Sequence, residues 1–386
     1  MLSGGRPTVL EIDLDCIAHN VRELKRLAPQ AQLMATVKAN AYGHGAVQVS
    51  RVALANGATW LGVATVEEGM ELRRAGLKVP ILVFSGLLPH QISACIQYDL
   101  DCALAGKNFI SQIKPVLMGL PAGKRLFVHL KIDTGMHRLG ILPKDLEVLL
   151  AELKRLPQVS VRGIWTHFAE SASRDKSFSL KQLAIFQQCV EIVENSLGQI
   201  PLKHAANSGA VINLPQSHYN LIRPGLGIYG YYDEPHLAEL VYLKPALTWK
   251  TRIISVREIP PGETVSYGRT YEATGHMKIA TLPVGYADGY KRLLSNQGQV
   301  LIRGERANII GRICMDQTMV DVTFIEGIKE GEEVVLLGTQ GEKDLSIYEM
   351  CKWAQTIPYE ILVSISGRVQ RIYKGAAGKD NYNRGS

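Results

Sequence analysis

Paired cysteines are missing from this sequence. Its 386 residues include six cysteines, Cys16, Cys95, Cys102, Cys189, Cys314 and Cys351, too widely spaced for any Cys-X-X-Cys element. That pattern offers neither a disulfide framework nor a thiolate zinc site, and it fits a reducing cytoplasmic setting. The opening residues, Met1-Leu2-Ser3-Gly4-Gly5-Arg6-Pro7, lack the apolar core of a signal peptide, and no apolar run is long enough to span a bilayer. A basic block is missing too. Lys and Arg number 43 against 36 Asp and Glu, a net charge of +7, but the basic residues are scattered among the acids. Nucleic acid needs a contiguous positive track, so an anionic small molecule accounts for the excess at least as well. Repeats, low-complexity tracts and long linkers are likewise absent. What remains is 46% hydrophobic and 20% charged, as in ordinary globular proteins, in a chain long enough for two cores.

The pattern changes near residue 240. Before it, apolar runs at 32–37, 60–64, 81–84, 101–104, 127–132, 161–166, 202–205 and 219–222 alternate with amphipathic stretches such as 46–56, 66–74 and 180–196. About eight strands alternating with helices indicate an α/β fold, a TIM-type (β/α)8 barrel, with a doubly wound open sheet as the competitor. After it, the helical period fades. Runs at 247–258, 278–284, 299–302, 308–313, 319–323, 333–337 and 361–365 read as strands, with one short helix around 346–353. The expected organisation is a barrel over 12–240, an all-β domain over 241–376 joined by an N-terminal strand at 8–14, and a tail at 377–386.

On that frame the unusual polar residues collect at the C-terminal ends of the barrel strands. Lys38 closes the first strand and opens Ala39-Asn40-Ala41-Tyr42-Gly43-His44-Gly45. A lysine at a buried strand end becomes a nucleophile when burial penalises its charged form, and it can then form a Schiff base with a carbonyl cofactor. A lysine snorkelling out of a strand end is the plainer alternative. Arg138 follows the fifth strand, His167 ends the sixth, Asn207 and Ser208 end the seventh, and Arg223 and Gly225 follow the eighth. Barrel enzymes build their sites on this face, with phosphates commonly bound after the last two strands.

Two features need weighing. Gly225-Leu226-Gly227-Ile228-Tyr229-Gly230 spells the dinucleotide fingerprint, yet the next strand-like run, Ala246-Leu247-Thr248-Trp249-Lys250, carries no acid for a ribose. Backbone N–H groups at Gly225 and Leu226 receiving a phosphate explain the glycines better. In the fifth strand, Val128, Leu130 and Ile132 share the outer face, so Phe127, His129, Lys131 and Asp133 point into the barrel. A lysine there must be paired or chemically changed, and an ion pair with Asp133 is the simple solution. In the second domain, Val265-Ser266-Tyr267-Gly268, Gly285-Tyr286-Ala287-Asp288-Gly289 and Gly311-Arg312-Ile313-Cys314-Met315-Asp316-Gln317 are polar clusters held by glycines. Each alone reads as a turn with a packed aromatic.

Taken in order with Trp165-Thr166-His167-Phe168, His204-Ala205-Ala206-Asn207-Ser208, Arg223-Pro224-Gly225 and Ile357-Pro358-Tyr359-Glu360, these segments resemble the alanine racemase family over nearly the whole chain. The resemblance implies a PLP-binding barrel, a C-terminal β-domain, and a cytoplasmic homodimer sharing its active sites. The implied reaction interconverts L- and D-alanine, supplying D-alanine for peptidoglycan. Lys38 would carry pyridoxal 5'-phosphate and serve as base for the D-enantiomer, with the partner subunit's Tyr267 serving the L-enantiomer. Tyr42, Ser208, Tyr359 and the backbone at Gly225 would hold the phosphate, with Asn207 nearby. Arg223 would face the ring nitrogen, beside His167 and His204. An arginine cannot give up its proton there, which limits delocalisation and disfavours side reactions. Arg138 and the N–H of the partner subunit's Met315 would hold the substrate carboxylate. Tyr286, with Tyr359, would narrow the entrance and exclude side chains larger than methyl, with Arg312 and Asp316 as supporting entrance residues. Lys131, by the same likeness, would be carbamylated and orient Arg138. An entrance aspartate found in relatives is not carried onto Asp175, because the loop 169–175 differs. A serine or broad-specificity racemase, a PLP decarboxylase and a non-catalytic PLP-binding protein are the alternatives. Arg223 argues against the decarboxylase, and Tyr267 with Cys314-Met315-Asp316 argues against the binding protein.

Overall fold

The computed structural model describes residues 5–106, 108–120 and 123–376. The tail set apart at 377–386 lies outside them. The described residues form two compact units, one of 16–41 and 46–244, the other of 5–15, 42–45 and 245–376.

After strand β1 (Val9–Asp13), which belongs to the second unit, come β2 (Gln32–Thr36), β3 (Trp60–Val63), β4 (Ile81–Val83), β5 (Asp101–Leu104), β6 (Leu126–Lys131), β7 (Val159–Trp165), β8 (Leu202–His204) and β9 (Leu221–Ile222). Each of the eight apolar runs thus contains a strand. All pair in parallel, in the order β8-β7-β6-β5-β4-β3-β2-β9. The Arg223 N–H donates to the Ala206 carbonyl at 2.8 Å, bringing the end of β9 beside the chain leaving β8 and closing the ring. Consecutive strands are neighbours throughout, with none of the order reversal that defines an open doubly wound sheet. This is a TIM-type barrel.

Helices fill the crossovers where caps and periodicity dictate. Val66–Arg74 begins at a capping box in which Thr65 and Glu68 satisfy each other's backbone N–H groups. Inside the ring, Met34, Trp60, Leu82, Leu202 and Leu221 form one packed layer with Phe84 against it. That layer makes the barrel a core rather than a pore. His129 and Lys131 of β6 face inward and are buried. The His129 ring fits because its β7 neighbour is Gly163, where a Cβ would lie 2.3 Å from His129 Nδ1. Among the described residues, no helix is long and apolar enough to cross a membrane.

The second unit is sheet-rich. It contains β10 (Leu247–Arg252), β11 (Ser255–Ile259), β12 (Thr264–Val265), β13 (Tyr271–Glu272), β14 (Met277–Leu282), β15 (Gln299–Ile302), β16 (Glu305–Asn308), β17 (Thr318–Asp321), β18 (Glu333–Gln340), β19 (Lys343–Leu345) and β20 (Gln370–Lys374). The main sheet runs β16-β15-β18-β10-β1-β20 with β19 on β18, and β11-β14-β17 form a second sheet. β1 pairs antiparallel with β10 and parallel with β20.

Three expectations for this unit fail, the first being the strand at 308–313, where regular pairing ends at Asn308 and only an isolated bridge from Ile309 to Val320 follows. The run 247–258 is two strands in different sheets, because the N–H groups of Ile253 and Ile254 turn to Glu332 and Thr281 respectively. The run 361–365 lies largely within a helix, Pro358–Ser364, begun by a proline at its first turn. Three adjacent apolar residues are ambiguous in period, and here only Ile361 and Leu362 are buried within that helix.

Candidate active site

Lys38 stands at the C-terminal end of β2 and is half-buried. The chain after it adopts an arrangement that its residues would not choose alone. Ala39, Asn40, Ala41 and Tyr42 all have φ of 51–52°, one turn of left-handed helix built without glycine. Each such residue costs roughly 1–2 kcal/mol, so the surroundings must impose it. Glu68 does part of this. Its Oε1 accepts the Ala39 N–H at 2.7 Å while Oε2 accepts the Ala64 N–H at 2.7 Å. Asn40 Oδ1 accepts the Ala46 N–H at 2.8 Å, and the Ala41 N–H reaches the Val37 carbonyl at 2.8 Å. Burial lowers the Lys38 pKa, nearby Arg138 lowers it further, and Glu68 raises it. Glu68 was not singled out from sequence, where Thr65-Val66-Glu67-Glu68 reads only as a helix start.

Arg223, after β9, is 4% exposed and has no carboxylate partner among the described residues. Its Nη2 donates to the Thr166 and Ala205 carbonyls at 2.8 and 3.2 Å, and its Nη1 donates to His204 Nδ1 at 3.0 Å. Burial pushes its pKa down to about 9, which still leaves it charged at neutral pH. The guanidinium also lies 4.8 Å from the centre of the Trp165 ring, which stacks on His204 at an interplanar angle of 6°. Ser208 Oγ accepts the N–H groups of both Gly225 and Gly227, at 2.8 and 3.1 Å. The Gly225 N–H is therefore spent inside the protein, contrary to its expected exposure to a phosphate. With its oxygen doubly engaged, the Ser208 hydroxyl keeps its proton for donation. Asn207 uses its side chain as a helix cap, accepting the Ala210 N–H at 3.0 Å. Residues 226–229 form a 3-10 turn rather than the helix a dinucleotide site requires.

Lys131 does not form the simple ion pair with Asp133. The Asp133 carboxylate turns to its own loop, accepting the Gly135 and His137 N–H groups at 3.0 Å each. The Lys131 ammonium instead sits 4.6 Å from the Trp165 ring centre. Burial, then Arg138 and Arg223, push its pKa down to about 8. His167 is held well below its ordinary pKa by burial and by the charges of Arg223, Arg138, Lys131 and Lys38. His204 is held neutral by burial and Arg223. Arg138 is exposed and free of hydrogen bonds to the described residues. The barrel end therefore gathers four cationic side chains around neutral imidazoles, an arrangement suited to anionic groups.

The second unit gathers the other expected residues. Tyr267 is 73% exposed, in a turn with positive φ at Ser266, Gly268 and Arg269. Ser266 Oγ donates to the Arg312 carbonyl, tying this turn to the 311–317 segment. The N–H groups of Tyr286 and Ala287 donate to the Cys314 and Met315 carbonyls at 3.1 and 3.0 Å. Only glycine fits at 285, since a Cβ there would lie 2.3 Å from the Cys314 oxygen. Tyr286 and Met315 are exposed. Asp316 pairs with Arg368 at 2.8 Å. Tyr42 and Tyr359 meet with ring centres 5.7 Å apart.

The alanine racemase N-terminal domain model matches residues 12–233, and the alanine racemase C-terminal domain model matches 246–373. The chain is 43% identical to an alanine racemase of Halothermothrix orenii over 97% of its own length and 98% of the relative's. The crystal structure of alanine racemase from a D-cycloserine-producing Streptomyces lavendulae superposes with a TM-score of 0.91 at 36% identity, covering 97% of this chain and 98% of that one. That of Bartonella henselae, with covalently bound pyridoxal phosphate, gives 0.86 at 28% identity, covering 95% and 99%. Matched by both domain models and by full-length relatives, the chain belongs to the alanine racemase family.

Proposed function

We propose that this alanine racemase binds pyridoxal 5'-phosphate at the barrel end and moves the Cα proton with two bases, Lys38 and the partner subunit's Tyr267. The observation that carries the proposal is the buried Arg223 charge, without a carboxylate partner among the described residues, grouped with Lys38, Lys131 and Arg138 around neutral His167 and His204. The donor set fits the cofactor. Lys38 would attach it, the Ser208 hydroxyl would donate to its phosphate with Tyr42 and Tyr359 assisting, and Arg223 would face its ring nitrogen. When bound, the cofactor condenses with amines and delocalises the electrons left at Cα.

The depressed Lys38 pKa enlarges the neutral fraction of its amine, the form able to attack a carbonyl or accept a proton. Arg138, with its unengaged guanidinium, would bind the substrate carboxylate together with the N–H of the partner subunit's Met315, and Tyr286 would restrict side-chain size. The reaction is tested by incubating the purified holoenzyme with individual L-amino acids in deuterated water. Alanine alone should exchange its Cα hydrogen with inversion. Inversion of serine at a comparable rate would establish a broad-specificity racemase, and carbon dioxide release without inversion would establish a decarboxylase.

Lys131 is proposed to be carbamylated. Its neutral amine attacks carbon dioxide, an N–C bond forms and a proton leaves. A pKa near 8 makes that amine accessible at physiological pH, and the resulting anion would neutralise and orient Arg138. Protein equilibrated with 13C-bicarbonate should show a carbamate carbonyl resonance that is missing in Lys131→Ala. A wild-type spectrum without that resonance would refute the modification.

A further inference from the structure

A chain of hydrogen bonds crosses the barrel interior from Arg223 to the opposite end of the strands. Arg223 Nη1 meets His204 Nδ1 at 3.0 Å, His204 Nε2 meets His129 Nδ1 at 2.8 Å, and His129 Nε2 meets Asp101 Oδ2 at 3.2 Å. Asp101 Oδ1 then accepts from Arg162 Nη1 at 2.9 Å. His204 and His129 are 0% exposed and Asp101 is 1% exposed. Trp165 stacks on His204, and Trp60 packs edge-on to His129, so neither ring is free to turn.

We infer that Asp101 is a remote positioning residue that fixes the tautomers of His129 and His204 and thereby the orientation of Arg223. The direction of every bond follows from donor chemistry. Arg223 can only donate, so His204 Nδ1 accepts. A neutral His204 then carries its proton on Nε2 and donates to His129 Nδ1. His129 must carry its proton on Nε2, and only an acceptor can terminate the chain there. Asp101, at the start of β5, is that acceptor, and its other oxygen accepts from Arg162 Nη1. Gly163 completes the device, since a side chain there would displace the His129 ring.

Asp101→Asn tests the logic with little change of shape. Arg162, which only donates, would claim the amide oxygen, turning the amide nitrogen toward His129. His129 would then accept on Nε2, its proton would move to Nδ1, and His204 would be driven to present an N–H to Arg223. The readout is 15N NMR of histidine-labelled protein, first without any ligand. Wild type should show both histidines protonated on Nε2 only. An Nδ1–H tautomer or an imidazolium at either position in wild type would overturn the inference, even if the variant fails to fold. Asp101→Asn should reverse or mix the tautomers, shift the absorption of the cofactor-loaded enzyme, and lower kcat about tenfold with little change in KM, as for other orienting partners. Unchanged tautomers or unchanged kcat in a folded variant would also overturn it. The inference deepens the proposed function and rests on it for Arg223's role. The ligand-free tautomer pattern is independent of that reading, so failure of wild type to invert alanine in deuterated water is a separate result.

Discussion

Lys38→Ala should abolish racemisation, with kcat/KM falling by at least roughly 10,000-fold, because under the proposed function one side chain would supply both the covalent attachment and a base. A positioned base alone is worth about 100- to 10,000-fold, and losing the covalent link adds to that. The truncation removes an amine whose pKa is already depressed by burial and Arg138, so no ordinary surface lysine can substitute. The backbone is less exposed to the change. The left-handed turn is held by Glu68, Asn40 and Val37 rather than by the Lys38 side chain. Chiral chromatography of alanine measures the loss, and the absorption of cofactor-loaded protein reports the covalent link. A folded variant racemising within tenfold of wild type would remove Lys38 from the mechanism.

The barrel was legible because its strands are buried on both faces and read as apolar runs wherever they occur. Inward-facing polar residues were also legible, since His129 and Lys131 interrupt the β6 pattern at alternate positions. What escaped depended on tertiary imposition. Nothing in Ala39-Asn40-Ala41-Tyr42 announces a left-handed turn, for the signal lies in Glu68, nearly thirty residues on. Asp101 reads as a polar residue bounding a short strand, and only the folded ring shows it ending a hydrogen-bond chain that begins at Arg223. Asp133 misled in the other direction. Alternation sent it into the barrel, but the strand ends at Lys131 and the carboxylate caps the following loop.

Tyr267→Phe should lower racemisation roughly 1,000-fold, within the range for a lost general base, while leaving the two enantiomers unequal. Lys38 would still exchange the Cα hydrogen of D-alanine with deuterated solvent, whereas exchange from L-alanine should nearly vanish. That asymmetry separates loss of one base from a general loss of binding or fold, which would slow both enantiomers together. The local structure favours a clean substitution, because Tyr267 is 73% exposed and its turn is held by Ser266 and glycines rather than by the phenol. A phenol acting as a base needs positive charge nearby, and His167 cannot supply it, being held neutral by burial and four surrounding cations. Arg312 is the better source within the same unit, since a Cβ at Gly268, the next residue, would lie 2.9 Å from its Nη1. Equal deuterium exchange of both enantiomers by Tyr267→Phe would place the second proton transfer on another group.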